Sequence, residues 1–353
     1  MIVSDFIKKI QGKSYKWYLE GEDAIYDPLD TYYDKIALVK PMSQAQLDGN
    51  GVYVQDTSAF SDFELERTYE KAGIKIKHVL EGFTIKGLKK KFTFAADCSY
   101  EANNLEVDGK VGKFFEKIIK SEAPGAFKEF KEKIVADLFN HGGLLVGHSD
   151  FNNESLECVT GYTKLTSDYG LYDGKPMFNL SGNNRTPKGH STTYYNAIAD
   201  ALSSTSFDTL YYTMTVLNAK KENGQKFDNT KNIHALVPNS LKTTLCKILD
   251  TQKVVGKADN DININARAGK GNELQNTAIP LVNPYLDDNS TPANSAYYLI
   301  RPKTGIVMYI DDEPIFEYEK DILHQILYMT MTVYIILYVR NWRMQIGGKI
   351  VTA

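Results

Sequence analysis

The stretch that decides the fold begins NIHALVPNSLKTTLCKILD (Asn232–Asp250) and continues, after a polar excursion, as NELQNTAIPLVNPYLDD (Asn272–Asp288) and YYLI (Tyr297–Ile300). A short apolar run rich in strand formers ends at Pro238, which has no N–H for a ladder, so a strand is predicted at His234–Val237. Apolar residues at helical spacing follow and predict an amphipathic helix over Leu241–Leu249. The same reading predicts strands at Ala278–Val282, Tyr297–Ile300, Ile306–Ile310, Thr332–Val339 and Trp342–Ile346. Strands and helices mix without a regular βαβ alternation, which makes the class α+β.

Working outward, Thr332–Val339 alternates completely. Val333, Ile335, Leu337 and Val339 share one face, and Thr332, Tyr334, Ile336 and Tyr338 the other. That pattern favours a sheet strand over a membrane span, because His324, Gln325, Thr330 and Thr332 interrupt the apolar run. Toward the N-terminus, Val111, Phe114, Phe115, Ile118 and Ile119 form one helical stripe, and Phe127, Phe130, Ile134 and Leu138 form another. Pro124-Gly125 lies between them and predicts a break or kink, with a second helix starting at Pro124. Helices are also predicted at Thr193–Ser203 and Phe207–Lys220, the latter with Ser206 or Asp208 as cap. Residues 141–190 are rich in loop signals, whereas residues 36–93 alternate short strand-like pieces with turns at Asp48–Gly51 and Glu81-Gly82, as in a long β-hairpin. Residues 1 to about 40 carry no sustained apolar period after Ile10 and suit an extended arm.

Composition sets outer limits. With 353 residues, 42% hydrophobic and 24% charged, the chain has the makings of a folded protein with a sizeable core. A net charge of −3 argues against a surface devoted to nucleic acid, which needs concentrated Lys and Arg. Cys98, Cys158 and Cys246 are scattered and suggest neither a disulfide framework nor a zinc knuckle, so a reducing cytoplasm fits. The N-terminus lacks the continuous apolar region of a signal peptide. Charge is unevenly spread: Glu20, Glu22, Asp23, Asp27, Asp30 and Asp34 are joined by no Lys or Arg, while Lys71, Lys75, Lys77, Lys86, Lys89, Lys90 and Lys91 meet one acid, Glu81.

Catalytic constellations are sought without success. His141-Gly-Gly resembles the oxyanion loop of some esterases, yet no G-x-S-x-G nucleophile turn accompanies it, and a glycine turn ending the helix at Asn140 is the simpler reading. His78, His190, His234 and His324 are isolated, with no metal-ligand spacing. RAGKGNE (Arg267–Glu273) lacks the complete phosphate-loop pattern and reads as a basic loop. Asp287-Asp288 and Asp311-Asp312-Glu313 are acidic turns. No enzyme, cofactor or metal site is expected.

Five segments carry a resemblance: DLFNHGG (Asp137–Gly143), YDGKPMFNLSGN (Tyr172–Asn183), HALVPNSLKTTLCKIL (His234–Leu249), LVNPYLDD with YYLI (Leu281–Ile300) and YVRNWRMQIGG (Tyr338–Gly348). In this order they resemble the major capsid proteins of tailed bacteriophages, most closely the Mu-like head-subunit branch. Gly182-Asn183 stands where that branch has His-Pro, and Tyr297-Tyr298 where Trp-Tyr is common. The resemblance implies the tailed-phage coat-protein fold: an N-terminal arm (1–40), an extended β-hairpin (41–95), a spine helix and peripheral domain (96–189), an apical domain (190–303) and a return to the peripheral domain (304–353). It further implies a non-catalytic protein without cofactors that self-assembles into hexamers and pentamers of an icosahedral shell around double-stranded DNA, contacted non-specifically. The expected location is the virion capsid, assembled in the bacterial host cytoplasm. Expected partners are a portal ring and a separate scaffolding protein, with a maturation protease and cement proteins as further partners of the family; no membrane is implied. In such proteins arm and hairpin reach adjacent subunits, so Glu20, Glu22, Asp23 and Asp27 are expected to lie along Lys86, Lys89, Lys90 and Lys91 of a neighbour. The alternatives are an encapsulin-type nanocompartment shell, which shares the fold, a phage tail or baseplate protein, and, from another class, a hydrolase or nucleotide enzyme.

Overall fold

The computed structural model describes residues 3–25, 31–51, 53–60, 80–99, 113–140, 142, 177–182, 184–186, 191–221, 224–250, 277–286, 294–311, 313–321, 323–324 and 326–350. Strand β9 (Ile326–Val339) is the centre of a six-stranded sheet. Strands β1 (Leu38–Pro41), β7 (Ile306–Ile310), β9, β3 (Leu80–Ser99) and β2 (Tyr53–Phe60) follow in that order, and β8 (Ile315–Asp321) pairs with the first half of β9. The predicted alternation holds. Leu327, Met329, Met331, Val333, Ile335, Leu337 and Val339 all enter the main core, while Ile336 and Tyr338 enter a smaller cluster with Met42, Val54, Val307 and Tyr309 on the opposite face. Strand β9 is therefore covered on both faces in its second half, and in its first half Tyr328 remains exposed.

The spine crosses the main core face of this sheet. It runs as α3 (Lys113–Lys117), a π-turn (Ile118–Glu122) and α4 (Ala123–Asn140), and Phe130 of α4 packs on Phe92 of β3 with ring centroids 4.5 Å apart. Of the break or kink expected at Pro124, no break is present: the helix is continuous, with a π-turn before the proline and α-helix resuming at Ala123. Pro124 cannot bond the carbonyl of Lys120 four residues back; widening the turn absorbs that loss without ending the helix. Helix α4 ends at Asn140, and the Gly142 N–H bonds the Phe139 carbonyl at 3.3 Å, in keeping with the glycine turn.

A second sheet has the order β10 (Gln345–Gly348), β6 (Tyr297–Ile300), β4 (His234–Val237), β5 (Ile279–Val282). It has its own core, in which Leu299, Ala235 and Val237 meet Phe207, Leu210 and Met214 of α5 (Ser204–Tyr212) with its following π-turn (Thr213–Leu217), and Leu245 and Ile248 of α6 (Lys242–Asp250). Ser203, and neither expected residue, is the N-cap of α5; Ser206 is its capping-box partner. Tyr298 joins the second sheet to the spine and the main core: its hydroxyl donates to the Phe139 carbonyl at 2.9 Å, and its ring stacks on Phe178 at 5.0 Å.

Three further expectations about local structure are corrected. Val3–Ile25 is helix α1, not extended chain, and Tyr33–Ile36 is the short helix α2. Its buried stripe is Ser14, Trp17, Tyr18 and Gly21, at i, i+3, i+4 and i+7. The segment predicted as a helix at Thr193–Ser203 is instead an irregular strand-like run. Tyr194 pairs with Arg185, the Ile198 N–H bonds Gly347, and the Asn196 side chain accepts from Asn179 N–H and donates to the carbonyl of Met177. An Asn side chain that satisfies loop backbone in this way competes with the helix. The predicted turn at Asp48–Gly51 is present, closed by Gly51 N–H to the Asp48 carbonyl at 2.9 Å with φ +70° at Gly51. Glu81-Gly82 lies inside β3, not in a turn.

Candidate assembly surfaces

The acidic segment is placed by α1. Gly21 lies so close to the π-turn that a Cβ on it would overlap the carbonyl oxygen of Lys120. This approach brings Glu20 within 2.7 Å of the Lys120 ammonium, which also holds Glu116 at 2.8 Å. The hydrogen bond from Lys120 draws the Glu20 carboxyl below its ordinary range. Glu22 lies 4.0 Å from Lys131, whose ammonium also sits over the rings of Phe127 and Tyr33. Burial lowers the Lys131 pKa, and burial raises that of neighbouring Glu132 even though the carboxylate accepts from the Tyr32 and Tyr33 N–H groups at 2.8 and 2.9 Å. Asp23 is exposed; Asp27 lies outside the described residues. Glu20 and Glu22 thus have partners on the spine of their own subunit. Lysines absent from the local sequence reach Glu20 and Glu22 from a helix about 100 positions away.

The lysine run is divided by the strand. Lys89 pairs in register with Ile336 and Lys91 with Tyr334, on the sheet face away from the spine; Lys90 pairs with Ile335 and belongs to the spine face. Three consecutive lysines on a strand cannot form one patch, since successive side chains leave opposite faces. The Lys89 ammonium sits 4.4 Å from the centre of the Tyr334 ring, and Lys91 is exposed. Lys86 stands opposite Gln55 in the β2–β3 hairpin. Lys71, Lys75 and Lys77 lie outside the described residues.

A surface the sequence reading passed over is the β8–β9 hairpin. Phe316 and Tyr318 of β8 face inward, where Tyr318 meets Phe115 with ring centroids 5.7 Å apart and the Ser14 hydroxyl at 2.6 Å. Glu317 and Glu319 therefore point outward, and Glu319, Tyr328 of β9 and Asp97 of β3 form one row across three strands. Alternation in IFEYEKD (Ile315–Asp321) was the available signal. At the hairpin tip Asp321 accepts from the Leu323 and His324 N–H groups and holds the His324 Nδ1 at 2.6 Å, bonds that keep its carboxyl below the ordinary range.

The groups considered for chemistry do not converge. Among the described residues no three His, Cys, Asp or Glu side chains gather as a metal site, and no helix is long and apolar enough to cross a membrane. Cys98 is buried in β3, where burial pushes its thiol up to about 11. The Asp311 carboxylate accepts from the Tyr334 N–H at 2.7 Å. His141, Arg267–Glu273 and Asp287-Asp288 lie outside the described residues.

No protein-family model matches the sequence, and no curated protein matches it. Solved structures do. A chain from the capsid of a native GTA particle superposes with a TM-score of 0.50 at 10% identity, over 92% of this chain and 95% of that one. The capsid of Ralstonia phage GP4 gives 0.49 at 10% identity over 90% of each chain. A chain of Mycobacterium phage Patience gives 0.48 at 8% identity over 96% of this chain and 87% of that one. The likeness to the GTA capsid chain runs over nearly the whole of both chains, so the chain has the tailed-phage coat-protein fold, of the α+β class its sequence predicts.

Proposed function

We propose that this chain is a major capsid protein, self-assembling into hexamers and pentamers of an icosahedral shell around double-stranded DNA. The observation that carries this reading is the near end-to-end likeness to the GTA capsid chain. The chemistry is consistent with a structural role: the buried Glu132 carboxylate accepts from the Tyr32 and Tyr33 N–H groups and ties the spine to the segment before β1. In this reading the segments 1–40, 41–95, 96–189, 190–303 and 304–353 serve as arm, hairpin, spine with peripheral domain, apical domain and peripheral return. A scaffolding protein and a portal ring are partners, with a maturation protease and cement proteins as further ones, and the virion capsid is the location.

Electron microscopy and sedimentation of the purified protein, alone and co-expressed with scaffold, test it. Closed shells or capsomers of five- and six-fold symmetry are expected. A protein that stays monomeric at high concentration under both conditions refutes the proposal, and tubes or flat rings favour a tail or baseplate role.

A further inference from the structure

The outer face of the main sheet is charged in two halves. On β3 the outward positions in order are Lys89, Lys91, Thr93, Ala95 and Asp97; Lys91 and Asp97 are six residues, or ~20 Å, apart along the strand. Lys40 adds to the basic half, its ammonium over the Tyr309 ring at 5.9 Å. Glu317 and Glu319 of β8 add to the acidic half beside Asp97. None of Lys89, Lys91, Asp97, Glu317 or Glu319 has an ion pair among the described residues, in contrast to Glu20 and Glu22. Glu317 and Glu319 are ~7 Å apart on one face, so each half repels itself in the isolated subunit.

The acidic half also carries apolar anchors. Of the eight exposed large hydrophobic side chains among the described residues, three belong to the β8–β9 hairpin: Ile315 at 48%, Tyr328 at 38% and Leu323 at 90% exposure. Tyr328 lies between Glu319 and Asp97 in their row. An aromatic group ringed by charge is the make-up of a docking patch, where a buried anchor is surrounded by a polar rim that fixes register. Ordinary solvated strand faces have no reason to gather exposed Ile, Leu and Tyr in one hairpin.

We propose that the two halves of this face are complementary between copies: Lys89 and Lys91 of one subunit dock against Glu317, Glu319 and Asp97 of a second copy, with Tyr328 buried in the contact. The occupant is another copy of this chain because both signs of charge are displayed on one sheet face, so one surface supplies both partners. A polyanion such as DNA suits the basic half and is repelled by the other. This contact rests on the shell reading and differs from the expected arm–hairpin pairing, whose carboxylates Glu20 and Glu22 are already engaged.

The test uses the full chain in three variants: Glu317→Lys with Glu319→Lys, Lys89→Glu with Lys91→Glu, and all four together. Thermal melting checks that each folds like wild type, and Glu317→Gln with Glu319→Gln replaces the first variant if it does not. At about 50 mM salt each double variant should raise the concentration needed for assembly about tenfold or more, with the defect shrinking as salt rises. The fourfold variant, with both signs exchanged, should recover most of the loss. If folded double variants assemble like wild type, or the fourfold variant is no better than the doubles, the contact does not exist while the shell reading stands. A wild type that never assembles overturns both.

Discussion

Gly12 and Gly21 lie in one helix and offer the same substitution in two environments. A Cβ on Gly12 meets nothing within 4 Å. One on Gly21 would stand 2.7 Å from both the carbonyl carbon and the Cα of Lys120, in addition to the overlap with its oxygen. Ala is the better helix former by about 1 kcal/mol. Gly12→Ala should therefore stabilise the protein by about 1 kcal/mol. At Gly21 the same gain is opposed by overpacking against backbone, which cannot swing aside as a side-chain end can. Overpacking a close contact costs roughly 1–3 kcal/mol. Moving α1 away would further loosen Trp17 and Tyr18, now 7% and 3% exposed, so the cost belongs at the upper end of that range. The net expectation for Gly21→Ala is a loss of about 1–2 kcal/mol, which places the two substitutions about 2–3 kcal/mol apart with opposite signs. Urea unfolding of the unassembled subunit measures both, and amide exchange over Val3–Ile25 reports whether the loss is local to α1. Stabilisation by Gly21→Ala equal to that by Gly12→Ala would show that α1 does not sit on the π-turn, and the account of Glu20 and Glu22 would fall with it.

Lys131 supplies a pH-dependent prediction. Burial lowers its pKa from the usual 10.5, so in the alkaline range below 10.5 the native state binds fewer protons than the unfolded chain and stability rises with pH on its account. Urea titrations between neutrality and about pH 10 should show a positive slope relative to Lys131→Met; parallel curves would exclude a buried, charged Lys131. Tyr298→Phe keeps the ring stack and removes the hydroxyl that bonds the Phe139 carbonyl. It should cost about 1 kcal/mol in urea unfolding, rising toward 3 if the carbonyl is left buried and unbonded, and a neutral effect would mean that the junction between the second sheet and the spine does not depend on this bond.

What could be read from the sequence follows from how completely side-chain chemistry reports the environment. Strands β4, β6 and β7 have the predicted ends because each is a short run of strand formers, and β4 is stopped by Pro238, which has no N–H to extend the ladder. Ile326–Met331 of β9 lay outside the predicted strand, but its second half was legible because Thr332–Val339 alternates between two faces. Helix α1 was not, because two of the four positions in its buried stripe are Ser14 and Gly21. One serves a hydrogen bond to Tyr318 and the other a backbone contact, and neither adds to an apolar period. At Thr193–Ser203 the opposite occurred: Tyr195, Ile198 and Leu202 fall at helical spacing, yet they are partly or fully buried side chains of an irregular run whose backbone is stitched to Arg185 and Gly347.

The assembly surfaces were hidden for a different reason. Net charge along a segment is a property of sequence, but compensation is a property of register. Six clustered carboxylates invite a partner from outside; two of them found it on a helix crossing the same core. Three consecutive lysines look like one patch and are two. The backbone edges point the same way. In β5, bonded to β4 through the N–H groups of Ile279 and Asn283, the outward positions are Pro280 and Val282, and Pro280 has no N–H to offer. The edge of β10 is covered by Asn196–Ile198. Strand addition is thereby discouraged at both edges of the second sheet, which suits the proposed shell subunit, since that role demands contact with many copies without fused sheets. In the proposed contact recognition passes instead through side chains on a face, the outer face of the main sheet, which combines unpaired charges of both signs with exposed Tyr328, Ile315 and Leu323.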